Sequence, residues 1–238
     1  MLHKTLNILF IGMLVLFIVS CFRKGILPEK ENIVPSMYND PIQEETEKTP
    51  FTVDYMGTTY TIKPVASYEL WGLVVSHNKT RFVFDIYHDK SSYDTKDIAV
   101  IYGKNISNND YKKMDYWSGG WTGYCRTKKG MEYVKFDGKC ISNNHLITSE
   151  QSIRDKIKEI QIGDQIHIKG MLVNYTHPDW KGYERKSSLK RDDSGCEVIF
   201  VEEIERLQKG TPEWYEINLS TLQFMIIILV VKIALLLI

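Results

Sequence analysis

Charge of one sign is missing from this chain: 30 Lys and Arg are matched by 30 Asp and Glu. A protein that grips nucleic acid normally carries a basic excess to neutralise phosphates, so this balance argues against a general nucleic-acid partner and leaves room only for a local basic groove. Catalytic signatures are missing too. There is no GxSxG, no P-loop GxxxxGK[ST], no HExxH, and no CxxC or His/Cys cluster of zinc-like spacing. Nothing in these residues implies a cofactor or a metal. Cysteine is scarce, with only 4 in the chain. Cys125, Cys140 and Cys196 lie in the polar middle, an odd set that cannot all pair internally, although one disulfide is compatible with an exported domain.

What the sequence does have is a long apolar run at each end, Leu6–Val19 and Leu219–Ile238. A hydrocarbon core about 30 Å thick takes roughly 20 helical residues. The C-terminal run meets that length, and residues 217–238 are expected to form a transmembrane helix. Its one charge, Lys232, costs roughly 2.5–3.5 kcal/mol at mid-bilayer. The surrounding Ile, Leu, Val, Phe and Met offset this, and the lysine stands close enough to the end to snorkel. Trp214 and Tyr215 suit the interfacial aromatic belt.

Residues 1–22 form an N-terminal anchor or signal segment with a short basic start (Met1–Lys4) and an apolar stretch (Thr5–Val19). Ile18-Val19-Ser20-Cys21 resembles a bacterial lipobox, in which Cys21 would be lipidated. The other reading is an uncleaved anchor, with Cys21 a small apolar residue at its end. If both ends cross, the two termini share one side of the membrane and the middle lies on the other. A very short N-terminal tail favours a cytoplasmic terminus, hence an inner-membrane protein whose domain faces the periplasm or exterior.

Residues 23–50, rich in Glu, Lys, Pro and Asn, read as a linker. Residues 51–210 read as one mainly β domain. Phe51–Val65 alternates and turns at Met56-Gly57, a hairpin signal. Strand-like runs follow at Tyr68–Ser76, Phe82–His88 and Ile98–Tyr102. Tyr111–Gly130 reads as an inserted loop or irregular strand pair. Thr148 and Gln151 match a capping box, and Ile153, Ile157 and Ile160 share one helical face. Gln165–Tyr175 is an alternating strand with a mid-strand glycine, Gly170, of the kind that marks a bulge or barrel bend. Cys196–Ile204 is the last strand. Three strands, a helix and two strands is the order of an OB-like small β-barrel with one capping helix.

Several segments, ELWGLVVS (69–76), KDIAVIYGKN (96–105), ISNNHLI (141–147), IGDQIHIKGMLVNY (162–175) and SSLKRDDSGCEVIFVE (187–202), resemble an uncharacterised family of bacterial membrane-associated proteins. The likeness covers most of 65–205, and Arg191–Glu197 is shorter here than the family's pattern. The resemblance implies an envelope location and no particular chemistry.

Candidate ligand-binding residues are Asn143, Asn144 and His145, with Arg185, Arg191 and Trp71. In Ser142-Asn143-Asn144-His145, two amides and an imidazole could hold a ligand's polar edge, or His145 could act as a general base. A tight Asx turn leading into the helix accounts for the same residues and is preferred. Asp85, His88, Asp89, Asp94 and Asp97 could surround a cation but fit a solvated acidic loop better. Arg185, Lys186, Lys190 and Arg191, beside Trp180, Tyr183 and Trp71, could meet a phosphate or an acidic sugar; the interleaved Glu184, Asp192 and Asp193 favour a self-paired loop instead. The expectation is a non-enzymatic, membrane-anchored envelope protein that binds a small envelope ligand or a protein partner. The alternative is a membrane-tethered hydrolase, nuclease- or esterase-like, using His145 with Asp85 or Asp192.

Overall fold

A computed structural model of the protein describes residues 2–78, 92–120, 122–191, 193 and 195–236, with the side chain of Trp180 left out. The chain divides into two compact units, one made of residues 1–26 and 209–238 and the other of residues 27–208.

The first unit pairs helix α1 (Leu2–Arg23) with the C-terminal helix, Pro212–Leu236, both long and apolar enough to cross a membrane. They run antiparallel, because Asn218 meets Ser20 near one end and Lys232 meets Asn7 near the other. The Asn218 side-chain amide donates to Ser20 Oγ at 2.9 Å and to Cys21 Sγ at 3.2 Å. The Lys232 ammonium donates to Asn7 Oδ1 at 2.8 Å. Apolar side chains face outward along both helices, while Ser20 and Thr221 are buried between them.

The second unit is mainly β. In chain order its strands are β1 (Ile42–Glu44), β2 (Phe51–Tyr55), β3 (Thr58–Asn78), β4 (Lys96–Ile101), β5 (Met114–Ser118), β6 (Gly123–Thr127), β7 (Ile141–Ile147), β8 (Gln165–Thr176), β9 (Glu184–Arg185) and β10 (Glu197–Gln208). A short helix, α2 (Lys104–Ser107), follows β4, and α3 (Gln151–Glu159) joins β7 to β8. The main sheet runs β1-β3-β4-β7-β10-β8-β9, with β2 also on β3 and β8 also on β3. Of the pairs among β3, β4, β7, β10 and β8, only β7–β10 is parallel.

Period-two alternation explains why these segments form strands with two dissimilar faces. Tyr68, Leu70, Ile98, Val100, Leu146, Ile166, Ile168, Ile199 and Val201 point to one core, which Ile157 and Ile160 of the helical segment also join. Side chains on the opposite face feed two further clusters, one around Tyr60, Tyr93 and Tyr175 and one around Leu73, Ala99 and Ile101; on β3 the bulge between Pro64 and Ala66 switches Tyr60 and Ile62 to that face. Strand β3 is 21 residues long and has to bend, which it does at register shifts beside Pro64 and beside Val74. Opposite it, Gly170 permits a close backbone approach of β10. A Cβ there would lie 2.1 Å from the Phe200 carbonyl oxygen, just where β10 bulges past Glu202.

The Met56-Gly57 hairpin, the β8 and β10 strands and the helix near residue 153 lie where their patterns place them. The inserted segment after Tyr111 contains the β5–β6 hairpin. The capping box does not form. Glu150 is the residue before the helix and makes no side-chain cap, while Thr148 Oγ1 accepts from the Glu150 N–H at 3.2 Å. The far end of α3 is held by a tertiary contact, since the buried Lys96 ammonium donates to the carbonyls of Lys158 and Ile160. Residues 27–50, expected as a linker, belong to the second unit instead. Ile33 and Met37 are apolar enough to bury against Leu73 and Ile101, and β1 pairs with β3. No disulfide joins the cysteines; Cys140 is an inner core residue. The SNNH segment, preferred as a turn, is β-strand, because cross-strand pairing on both edges outweighs the local Asx preference. The expected strand Phe82–His88 lies outside the described residues.

Gly170→Ala is expected to lower stability by about 3 kcal/mol through overpacking. Denaturant unfolding checks this, and an unchanged midpoint would show that β8 and β10 need no close approach there.

Candidate functional site

Strand β7 carries the candidate site because its neighbours present matching side chains. His145 lies opposite Asp97 on β4 and opposite Val198 on β10, and Asn143 lies opposite Ala99. By alternation these side chains share the face turned away from the main core. Asn144, one residue out of phase, points the other way and is fully buried; its amide donates to Ser142 Oγ at 3.0 Å.

His145 Nδ1 is 2.7 Å from Asp97 Oδ1, with both side chains buried. Burial opposes charge on the imidazole, but the Asp97 carboxylate outweighs it and pushes the histidine up to about 9, so it is an imidazolium at neutral pH. Nε2 is buried and makes no hydrogen bond of good geometry among the described residues. On the neighbouring strand start lies Cys196. Burial raises its thiol, but contact with the His145 imidazolium brings it below the ordinary thiol value, and the Asn143 amide and Thr122 hydroxyl act in the same direction. His145 and Cys196 interact as close charges, without a hydrogen bond between Nε2 and Sγ. The Asn143 amide donates to Cys196 Sγ at 3.3 Å, and the Cys196 thiol reaches Thr122 Oγ1 at 3.8 Å.

Cys196 is aimed there by the preceding loop. The Ser188 N–H donates to the Cys196 carbonyl at 2.9 Å, and the Asp193 carboxylate accepts from the Ser188 hydroxyl and from the Gly195 N–H. Beside the sulfur opens a cavity of about 360 Å³ lined by Thr122, Gly123, Asn143, Lys190, Arg191 and Glu197, among others. Glu197 points inward from β10. Burial pushes its carboxyl up to about 8, so it is largely protonated at neutral pH.

The remaining candidates divide. Arg185 on β9 is within charge reach of His145, Asp94, Asp97 and Cys196. Arg191 lines the cavity, but its guanidinium is engaged by Asp40 Oδ2 at 3.1 Å and by the Pro41 carbonyl. Trp71 stands apart, stacked on His167 at 4.7 Å, with His167 Nε2 2.7 Å from Glu69 Oε1. Cys21 is exposed in the helical unit. Asp85, His88, Asp89 and Asp192 lie outside the described residues, and no cluster of three or more metal-ligating side chains occurs among the described ones. The cavity has room for a small molecule and offers amide, hydroxyl and charged groups. Sequence reasoning missed Cys196 and Asp97 as partners of His145, because only register brings three strands' residues together.

Glu197→Gln tests the buried carboxyl. A carboxyl whose folded value is raised contributes stability that is full below about pH 4.3 and is lost as pH rises through its folded value near 8. The variant should match the unchanged protein at pH 5 and melt several degrees higher at pH 8.5. Parallel melting curves across that range would refute the assignment. No protein-family model, curated protein or solved structure matches this chain, so the functional reading stands on this geometry.

Proposed function

We propose that this is a membrane-anchored bacterial envelope protein whose exported domain is an OB-like barrel that binds a small polar ligand or an envelope partner. Several features support the OB-like reading. Pairing runs β3-β4-β7-β10-β8 and returns to β3, the one parallel pair joins the third and fifth of these strands in chain order, and α3 falls between the third and fourth. In OB domains the ligand face is formed by the second and third strands and framed by the loop before the last. Those elements here are β4, β7 and residues 177–196. The observation that carries the proposal is that the cavity described above opens on that face.

The membrane part rests on the two apolar helices and on their polar pairing. Buried or lipid-facing Asn, Ser and Lys in spans are costly unless partnered, and here they partner each other. The resemblance to bacterial membrane-associated proteins supports the envelope. A second reading, a membrane-tethered hydrolase, is favoured by one specific observation: His145 is held by a buried carboxylate, Asp97, so that its imidazolium could give a proton to a leaving group.

Protease added to intact spheroplasts should digest residues 27–208 and leave the helical segments protected, as followed by fragment mass. Full protection without lysis would move the domain to the cytoplasm and defeat the envelope reading. A Thr122→Trp substitution should fill the cavity and abolish any small-molecule mass that native mass spectrometry finds on the full chain in nanodiscs. Retention of that mass would place the ligand elsewhere.

A further inference from the structure

We propose that Cys196, His145 and Asp97 are nucleophile, base and orienting group, and that Cys196 takes up an acyl group from an ester ligand lying in the adjacent cavity. The proposal rests on the hydrolase reading above and deepens it by naming the attacking atom and the substrate class.

The geometry has the parts that such chemistry requires. Asp97 Oδ1, 2.7 Å from Nδ1, fixes the ring so that only Nε2 remains to exchange a proton. Nε2 is buried and unpartnered by geometry among the described residues, which is costly unless it serves a group that arrives or a neighbour that ionises. The neighbour in charge contact is the Cys196 sulfur. Cys196 itself is half-buried, and Thr122, Asn143, Gly195 and Glu197 around it all line the cavity. A purely structural ion pair would have no need of a cavity beside the sulfur. The Asn143 amide, 3.3 Å from Sγ, stands where it can donate to an oxyanion forming on a carbonyl under attack. Other ionisable groups around the site are Asp94, Arg185 and Glu197, with Cys125, Lys190, Arg191 and Asp193 on the cavity wall. Across the site the Asp97 carboxylate pairs with the His145 imidazolium, and Asp94 is shared by Arg185 and the Tyr175 hydroxyl.

The steps balance without an oxidant or reductant. The Cys196 thiolate attacks the ester carbonyl carbon, forming a C–S bond. The C–O bond to the alcohol breaks, and the leaving oxygen takes the proton from Nε2. This leaves a thioester and a neutral His145. Water then attacks the thioester and passes one proton to Nε2; the C–S bond breaks and a carboxylic acid leaves. Thiolate and imidazolium are restored.

The test uses the full chain in nanodiscs, with iodoacetamide and p-nitrophenyl acetate as probes and peptide mapping to separate the 4 cysteines. Cys196 should be alkylated at pH 6.5 about tenfold faster than Cys125 and Cys140, whose thiols burial pushes up. His145→Gln and, less severely, Asp97→Asn should erase that advantage. Acid-quenched p-nitrophenyl acetate reactions should carry an acetyl group on Cys196. An alkylation rate in the unchanged protein that climbs through pH 8–9 as an ordinary thiol's does, with no acetyl on Cys196, would overturn the proposal without requiring any variant to fold. Ester turnover that survives Cys196→Ser but is lost in His145→Gln would also overturn it, while leaving a hydrolase in which His145 activates water directly.

Discussion

Every strand of the main sheet is positioned, directly or through one neighbour, by the pairing of β3 with β8. A strand has hydrogen-bonding groups on both edges, and groups buried without partners cost more than a bond contributes. Strand β3 meets this along nearly its whole length, with β8 against Thr61–Leu73 and β4 against Leu73–Asn78. Strand β8 in turn pairs with β10 on its other edge. Such a double engagement forces two ladders to converge at Gly170, which sits opposite Tyr68 on one side and beside the Phe200–Glu202 bulge on the other. Any side chain there would push one ladder away. The convergence also sets the register of β10, and with it the position of Cys196 next to β7.

Two buried cations inside this unit have their partners on other elements. Arg154 of α3 donates to Thr95 Oγ1 at 3.0 Å and to the Thr148 carbonyl while lying over the Tyr55 ring at 4.2 Å. Lys96 closes the end of the same helix. A buried pair rarely adds net stability over an apolar replacement, yet removal of one partner is severe. The Arg154 and Lys96 contacts orient α3 against the sheet. Asp97 and His145 form a buried pair directly across the β4–β7 ladder, next to Cys196.

The helices of the first unit are long and apolar enough to cross a membrane, and in lipid the same need for polar partners would hold. Leucine and isoleucine gain nothing by leaving lipid for another helix, so association depends on small and hydrogen-bonding residues at the contact. Ser20, Asn218 and Thr221 gather at one end, and Asn7 with Lys232 at the other. Arg23 over the Trp214 ring at 5.3 Å adds a cation–π contact at the end where an interfacial aromatic belongs.

Much of the fold was legible in the sequence, because local signals there agree with the tertiary environment. The apolar run at each end, the Met56-Gly57 hairpin, the isoleucine face of α3, the alternating β8 with its glycine and the apolar β10 follow from chain length, period and turn chemistry alone. Where local preference and cross-strand pairing conflict, only the folded structure decides. Ser142–His145 favours a turn by composition, yet both neighbours of β7 hold it extended. Residues 27–50 look like a polar spacer, yet three-dimensional burial of Ile33 and Met37 recruits them. His145 was visible as an isolated imidazole. Its joining to Asp97 and Cys196, 48 residues before and 51 after in the chain, depends on antiparallel and parallel register, a property of three strands together that no local pattern encodes.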